Sequence, residues 1–386
     1  MTARLFAVAL GAIAMAIGVA LPSAVRIFRL PRPSGPYEVG TITHHWVDDD
    51  RPDLFTADPA DRRELVVQIW YPATCPASAS PAPYVPDAEV LAPLAKLLEL
   101  PRFLLRPLEH VSTNAVPCAP VAGVGQSFPV LIFSPGRGGY RQHNTWQVEE
   151  LVSRGYVVAA IDHPHAAAGV RFPDGRLVTL DSRMLDNDFV DVVVPFLAQD
   201  AVFTLDQLTA LNHADPTGIL TGRLDVSRAG IFGLSLGGEV AAEACRQESR
   251  FRACLPMDVW MPPGVVRSGL SQPTMWLTRD AGTMRREGWR QADIDRTLDT
   301  IRAVFDMSGD AYLVRVPGMY HQDFSDAALL SPLTRWLGVT GPIDKNRAHD
   351  IVTACSLAFF DRHLKDRPAA FDGLAERYPE VLFETS

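Results

Sequence analysis

The sequence has little that would suit a nucleic-acid partner or a metal site. The net charge is −9 at neutral pH, and no basic stripe is present to hold a phosphate backbone. The five cysteines show no metal-ligand spacing, and no internal repeat is visible. Charged residues make up 21% of the chain and hydrophobic residues 47%, which argues against both a disordered chain and a polytopic membrane protein. The composition indicates a globular protein with a sizeable core.

The cysteines leave one question open. An odd number cannot all pair within one chain, and Cys245, Cys254 and Cys355 lie in core-like sequence. Cys75 and Cys118 both lie in proline-rich connecting sequence. The pattern there is compatible with an export-dependent disulfide and with two free thiols.

Only the N-terminus carries a long apolar run. Between Arg4 and Arg26 lie 21 residues without a charge, about the length that spans a bilayer. We therefore predict that residues 1–30 form a membrane anchor or a signal segment, with membrane association through residues 5–25 and an exported or membrane-anchored protein. Signal cleavage stays open, and so does the side of the membrane, because the arginines that follow the run favour a cytoplasmic catalytic part.

The rest of the sequence, residues 31–386, reads as one large domain in which strands and helices alternate. Predicted strands cover Tyr37 to Val47, Leu65 to Tyr71, Val130 to Ser134, Tyr156 to Ile161, Ala229 to Phe232, Phe251 to Leu255, Thr274 to Thr278 and Tyr312 to Val316. Predicted helices cover Asn144 to Arg154, Asp188 to Leu211, Glu239 to Cys245, Arg286 to Phe305 and Asn346 to Lys365. This alternation predicts an α/β fold with a mostly parallel, doubly wound sheet and helices on both faces.

One segment interrupts the pattern. Residues 72–120 begin with a stretch rich in proline, alanine and serine and continue, from Asp87 to His110, with leucines at helical spacing broken by prolines. We predict a cap-like insertion packed on the domain and bordering the entrance of the site. The leucine density leaves open that part of it lies on lipid.

The motif that organises the chain is Gly-x-Ser-x-Gly, centred on Ser235. An apolar strand enters it and a helical sequence follows, which is the strand-turn-helix context of a nucleophile elbow. A Cβ at Gly233 or Gly237 would collide with the neighbouring backbone in so tight a turn. The amide of Leu236, at the start of the helix, is available to an oxyanion.

Residues that follow the other strands supply partners for this serine. Ligands in such a sheet lie at the carboxyl ends of the strands. The glycine-rich loop after Phe133 offers the amide of Arg137 as a second oxyanion donor, and His321 follows the last predicted strand, where a general base is needed. His163 and His165 precede the serine in the chain, so we interpret them as residues that shape the site.

The carboxylate that would orient His321 has two candidates. Asp258 follows one strand and Asp280 follows the next, and the pattern of strand ends does not decide between them. Adjacent parallel strands lie only about 5 Å apart, so a loop histidine could lean toward either.

Several motifs resemble those of the monomeric, lipoprotein-associated platelet-activating-factor acetylhydrolases. The resemblance is carried by Asp258-Val259-Trp260-Met261-Pro262, by His321-Gln322-Asp323-Phe324-Ser325-Asp326 and by the elbow, and it extends from Gly35 to Phe359. It implies an α/β-hydrolase fold with a Ser235, Asp258 and His321 triad and an oxyanion hole formed by the amides of Arg137 and Leu236. The chain departs from the family at Pro135, Arg137 and Leu234. These departures leave open which acyl group and which headgroup the site prefers.

The resulting expectation is ester hydrolysis through an acyl-enzyme that needs no metal or organic cofactor. The resemblance implies a phospholipid with a short or oxidised sn-2 acyl chain as substrate. Small carboxylic esters or polyesters are an alternative substrate class. An alternative of another kind is a non-catalytic, membrane-anchored binding protein on a hydrolase scaffold, against which the intact serine, aspartate and histidine speak. Oligomeric state stays open.

Overall fold

The structure is a computed structural model that describes residues 28–330 and 334–386. The predicted N-terminal anchor or signal lies outside these residues, apart from its last three. No helix within the described ranges combines the length and the apolar character needed to cross a bilayer.

Twelve strands are present in the described chain, and ten of them form one sheet. The strands are β1 (Glu38–Pro52), β2 (Arg62–Ala73), β3 (Ala115–Pro117), β4 (Phe128–Ser134), β5 (Val157–Asp162), β6 (Gly169–Arg171), β7 (Leu177–Thr179), β8 (Leu224–Leu234), β9 (Phe251–Met257), β10 (Thr274–Thr278), β11 (Ala311–Arg315) and β12 (Leu382–Thr385). The order in the large sheet is β12-β11-β10-β9-β8-β4-β5-β2-β1-β3, and β6 and β7 form a separate hairpin.

Six neighbouring strands of the sheet run parallel, and their spatial order is β5-β4-β8-β9-β10-β11. The register places Val130 of β4 beside Val157 of β5 and Ala229 of β8. Strands β1 and β2 pair antiparallel at one side, and β12 pairs antiparallel with β11 at the other. Because the six parallel strands share their direction, their carboxyl ends meet at one edge of the sheet, and the loops that follow them lie together.

Helices cover both faces of the sheet. They are α1 (Leu91–Leu97), α2 (Thr145–Ser153), α3 (Asn187–His213), α4 (Leu236–Gln247), α5 (Pro263–Ser268), α6 (Ala281–Glu287), α7 (Gln291–Phe305), α8 (Ala327–Leu330), α9 (Lys345–Leu364) and α10 (Leu374–Arg377). Strand β4 shows the two-sided burial, since Leu131 and Phe133 pack with α2 and α9, whereas Val130 and Ile132 pack with α3, α4 and α7. The predicted doubly wound arrangement is confirmed.

One predicted helix is wrong. The sequence from Arg286 to Phe305 reads as a single helix, but α6 ends at Glu287 and α7 begins at Gln291. Gly288 adopts φ 91° and caps α6 in the left-handed conformation, which terminates the helix. The short strands β3, β6, β7 and β12 were not predicted either.

Residues 72–120 are integrated into the domain. Strand β3 pairs with β1 at the edge of the sheet, and Leu91, Leu105 and Leu108 are buried in the core. At its inner end, the side chain of Leu97 packs against Gly138 in the loop after β4. The insertion therefore contacts the loop that carries the predicted oxyanion donor.

All five cysteines are free thiols in the structure. Cys75 and Cys118 form no disulfide with one another, and each makes a hydrogen bond to β1. The thiol of Cys75 lies 3.6 Å from the carbonyl of Val39, and the amide of Cys118 donates to the carbonyl of Thr41 at 2.9 Å.

Candidate active site

Ser235 occupies a strained turn between β8 and α4. Its φ of 55° and ψ of −127° lie outside the ordinary regions for a residue with a side chain. A Cβ at Gly233 would overlap the carbonyl of Gly237, and one at Gly237 would overlap the carbonyl of Ser134. Both glycines are therefore required for the turn, as the sequence predicts, and the turn leads the chain directly into the first residues of α4.

The structure distinguishes the two candidate acids by their contacts. An oxygen of Asp258, Oδ2, lies 2.5 Å from Nδ1 of His321. Asp280 instead caps α6, where its Oδ1 accepts the amide of Thr283 at 3.0 Å. The predicted contact between Asp258 and His321 is confirmed.

The environment of Asp258 keeps its carboxylate ionised. The residue is only 2% exposed, and its Oδ1 accepts from Thr278 Oγ1 at 3.1 Å and from Arg279 Nε at 2.7 Å. Burial by itself would raise the pKa of Asp258, but the Arg279 guanidinium and the hydrogen bonds to His321 and Arg279 lower that pKa to about 2. An ionised carboxylate at this place holds the Nδ1 proton of His321, which leaves the other imidazole nitrogen free to accept a proton.

Arg279, Glu287 and Trp289 belong to the site, although sequence reasoning missed them. Arg279 is fully buried, its Nη1 donates to Glu287 Oε2, and its guanidinium lies 4.3 Å from the ring centroid of Trp289. Glu287 also accepts the backbone N–H of His321 at 3.2 Å. The signal that could have found Arg279 was its position directly after a strand, at the same sheet edge as Asp258.

The loop after β4 lies against the serine. A Cβ placed on Gly136 would come within 3.3 Å of the Cβ of Ser235, so the next residue, Arg137, follows immediately at the nucleophile. In the described part of the chain, the amides of Arg137 and Leu236 donate to no other group. They are thus available to the developing oxyanion of an ester.

The exposed side chain of Arg137 runs toward the start of α3. Its Nη1 donates to the carbonyl of Met184 at 2.7 Å and to Asn187 Oδ1 at 3.2 Å. Its Nε and Nη2 have no acceptor among the described residues. One side of a fixed cation therefore remains open next to the elbow.

Two further groups lie on the insertion side of the site. His143 carried no sequence signal, whereas Asp326 is the last residue of the motif that begins at His321. His143 packs near His321 with its Nδ1 enclosed and without a partner in the described chain, and burial, followed by the charge of His321, lowers the pKa of His143 to about 4. Asp326 accepts the amide of Thr145 at 2.8 Å and the hydroxyl of Tyr84 at 3.0 Å. Asp326 thereby joins the histidine loop to α2 and to the insertion.

A second serine–histidine–aspartate chain lies beneath the loop after β4. Ser134 Oγ is 2.9 Å from His163 Nε2, and His163 Nδ1 is 2.8 Å from Asp200 Oδ2. Asp200 also accepts from Arg63 and Arg51, at 2.7 and 2.6 Å. All three members of the chain are buried, so they support the loop and cannot meet a substrate. His163 therefore has the structural role that the sequence predicts.

Residues 28–330 and 334–386 contain no cluster of three or more histidine, cysteine, aspartate or glutamate side chains that could hold a metal ion.

Comparison with known proteins places the chain among esterases. The family model for platelet-activating factor acetylhydrolase, isoform II, matches residues 23–173 and 209–379. The platelet-activating factor acetylhydrolase of Gallus gallus is 24% identical, over 87% of this chain and 84% of its own length. The probable 1-alkyl-2-acetylglycerophosphocholine esterase of Arthroderma benhamiae is 26% identical, over 96% and 97% of the two chains.

A solved structure agrees with the architecture. The ferulic acid esterase of Streptomyces cinnamoneus is 31% identical, superposes with a TM-score of 0.73, and covers 92% of this chain and 99% of its own. This similarity to an esterase and the sheet order described above fit the α/β-hydrolase fold. The chain belongs to the platelet-activating factor acetylhydrolase, isoform II, family of carboxylic ester hydrolases.

Proposed function

We propose that the chain hydrolyses carboxylic esters through an acyl-enzyme formed on Ser235. The observation that carries this proposal is the bond between Asp258 and His321, on loops at the sheet edge where the strained elbow presents Ser235. His321 accepts the hydroxyl proton as the serine attacks the ester carbonyl, and it then returns the proton to the leaving alcohol. Water attacks the acyl-enzyme in the second half of the reaction, with His321 again as the base.

Two elements support the charges that develop in this reaction. The tetrahedral intermediate carries its negative charge on the former carbonyl oxygen, which the amides of Arg137 and Leu236 would stabilise. The imidazolium that forms on His321 is paired with the Asp258 carboxylate. No step requires a metal ion or an organic cofactor.

The substrate class that we propose is a phospholipid with a short or oxidised acyl chain at the sn-2 position. The names of the Gallus gallus and Arthroderma benhamiae relatives describe enzymes of this kind. The partly open guanidinium of Arg137 extends from the loop that lies against the serine, and it suits a phosphodiester because arginine binds phosphate oxygens in a fork. The uncharged run at residues 5–25 supports membrane anchoring or export, which would bring the enzyme to such lipids.

A second candidate substrate class is small carboxylic esters without phosphate. The similarity to the ferulic acid esterase favours this alternative, since its sequence identity to this chain, 31%, is higher than that of the Gallus gallus and Arthroderma benhamiae relatives. A non-catalytic binding protein is a third reading, and it requires that the Ser235 site be inert.

Replacing Ser235 by alanine tests the function. We expect the Ser235→Ala protein to fold as the parent does and to lose hydrolysis by a factor on the order of 10⁶, because the triad acts as a unit. The substrates are a 1-alkyl-2-acetyl phospholipid and a p-nitrophenyl ester series of increasing chain length. Activity of the variant within tenfold of the parent would contradict the proposal, and absence of activity in the parent on both substrates would favour the binding protein.

A further inference from the structure

Arg279 takes no part in the proposed hydrolysis, yet it touches the carboxylate that would pair with the catalytic imidazole. Its side chain is fully buried, and Nε donates to Asp258 Oδ1 at 2.7 Å. The other oxygen of Asp258 lies 2.5 Å from His321 Nδ1. One carboxylate therefore separates a permanent cation from the imidazole.

Glu287 lies on the opposite side of this cation. Its side chain is 6% exposed, and its carboxylate accepts both from Arg279 Nη1 and from the backbone N–H of His321. Trp289 covers the guanidinium, and its ring centroid lies 5.8 Å from that of the imidazole. Asp258, Arg279, Glu287 and His321 thus form a closed ring of contacts that is shielded from water on one side.

We propose that Arg279 is a positioning residue whose charge influences whether the imidazole of the Asp258–His321 pair takes up a proton. Glu287 partly balances the charge of Arg279. This inference rests on the proposed function. A cation one carboxylate away from the imidazole opposes its protonation, and Glu287 offsets part of that effect. Because the groups are buried, solvent screens these interactions only weakly.

The same ring also fixes geometry. Arg279 occupies Oδ1 of Asp258 and so leaves Oδ2 as the oxygen that meets His321. Glu287 holds the backbone of His321 to the end of α6. A substitution at either residue therefore acts on the nucleophile only through Asp258 and His321.

Among the described residues, five ionisable groups surround the imidazole of His321, and the test replaces two of them, Arg279 and Glu287. The groups that face His321 come from the loop after β9, the loop after β10, the end of α6, the loop after β4 and its own turn. They are, in that order, Asp258, Arg279, Glu287, His143 and Asp323. Arg279 and Glu287 carry opposite charges, so their removal should move the titration of the imidazole in opposite directions.

The test is the acid limb of the pH profile of kcat/KM for a p-nitrophenyl ester. In Arg279→Met, loss of the cation favours the imidazolium, and we expect the limb to move up by about one pH unit. In Glu287→Gln, the cation loses its counter-charge, and we expect the limb to move down by about half a unit. Arg279→Lys keeps the positive charge but loses the guanidinium that contacts both Asp258 and Glu287. The acid limb of this variant should stay near that of the parent, while kcat falls because the pair is less well positioned.

A matched control is Arg302→Met, which removes an arginine that pairs with Glu384 at 2.7 and 2.9 Å on β12. Its profile should equal that of the parent. Limbs that stay in place in both Arg279→Met and Glu287→Gln, or that move in the same direction, would overturn the inference. If Arg279→Met does not fold, Glu287→Gln decides alone, since a downward shift supports the inference and no shift overturns it.

The Ser235→Ala variant separates this inference from the proposed function. Hydrolysis that survives in Ser235→Ala contradicts the function itself. Hydrolysis that depends on Ser235, together with unmoved acid limbs, contradicts only the role of Arg279.

Discussion

Arg137 combines two features that act at different places on a substrate. Its backbone amide is available to the ester oxygen, whereas its guanidinium, held by Met184 and Asn187, keeps Nε and Nη2 open. The chain departs from its resemblance to the acetylhydrolases at this position. A backbone donor survives any substitution, so the side chain can be examined separately.

We expect Arg137→Leu to change selectivity more than chemistry. The substrate pair is a 1-alkyl-2-acetyl phospholipid and the matching 1-alkyl-2-acetylglycerol, which carries the same ester without a phosphate. The ratio of their kcat/KM values should fall about tenfold in favour of the neutral lipid, because one charge-assisted contact is lost. Arg137→Lys should recover part of the ratio.

An unchanged ratio in Arg137→Leu would show that the guanidinium does not contact the headgroup. Equal losses on both lipids would instead indicate that the side chain only ties the oxyanion loop to the start of α3.

At the scale of elements, the insertion presents one large apolar side chain outward. Phe103 is 61% exposed, whereas Leu105, two residues later, is 8% exposed and packs into the core. The insertion contacts the oxyanion loop through Leu97, which precedes Phe103 in the same segment. Such a side chain would enter an aggregated lipid more readily than it would affect a dissolved ester.

Phe103→Ser should therefore lower hydrolysis of a short-chain ester presented in vesicles severalfold and leave hydrolysis of a dissolved p-nitrophenyl ester unchanged. Val124→Ser is the matched control, because Val124 is also exposed but precedes β4 at the opposite edge of the sheet. Equal effects of the two variants on vesicles would identify Phe103 as ordinary surface.

The elements that carry the site were predictable because each parallel strand contains an apolar run that is buried on both faces. Strand β12 was not, since Leu382–Thr385 is short and half polar and forms only by pairing with β11. The break at Gly288 was also missed, because charged sequence with helical spacing continues on both sides of it. A glycine in that position is nevertheless a common helix terminator.

The site shows a similar division between local and tertiary information. Ser235 follows from a local motif, and His321 follows from its place after a strand. The choice between Asp258 and Asp280 needed either the family resemblance or the fold, because both follow strands and only the packing of α6 turns Asp280 into a helix cap. Arg279 was missed because a strand-end arginine has no part in the serine–histidine–aspartate template.

At the scale of the whole molecule, three buried acids make stability depend on pH. Burial raises the pKa of Glu149 to about 7 and that of Glu239 and Asp326 to about 8. In the unfolded chain these groups titrate near pH 4. Between those values the folded protein binds more protons than the unfolded one, so raising the pH lowers the free energy of unfolding.

We therefore expect the Tm to fall by a few degrees between pH 6.5 and pH 8. Each acid contributes up to about 2 kcal/mol over this window. The buried histidines with lowered pKa, such as His143 and His349, act in the opposite direction, but mainly below about pH 6.5, where the unfolded imidazole binds a proton. Thermal unfolding at the two pH values measures the slope, and Asp326→Asn should flatten it. A Tm that rises over this window would contradict the prediction.

The sealed chain of Ser134, His163 and Asp200 has a consequence for anyone who redesigns this enzyme. Ser134, His163 and Asp200 are bonded in the order of a catalytic triad, but they are closed off from solvent. Ser134 is also the residue whose carbonyl touches the elbow at Gly237 and whose chain leads into the loop of Arg137. Substitutions that open Ser134 to solvent would therefore disrupt the elbow of Ser235, so both serines cannot act as nucleophiles in one protein.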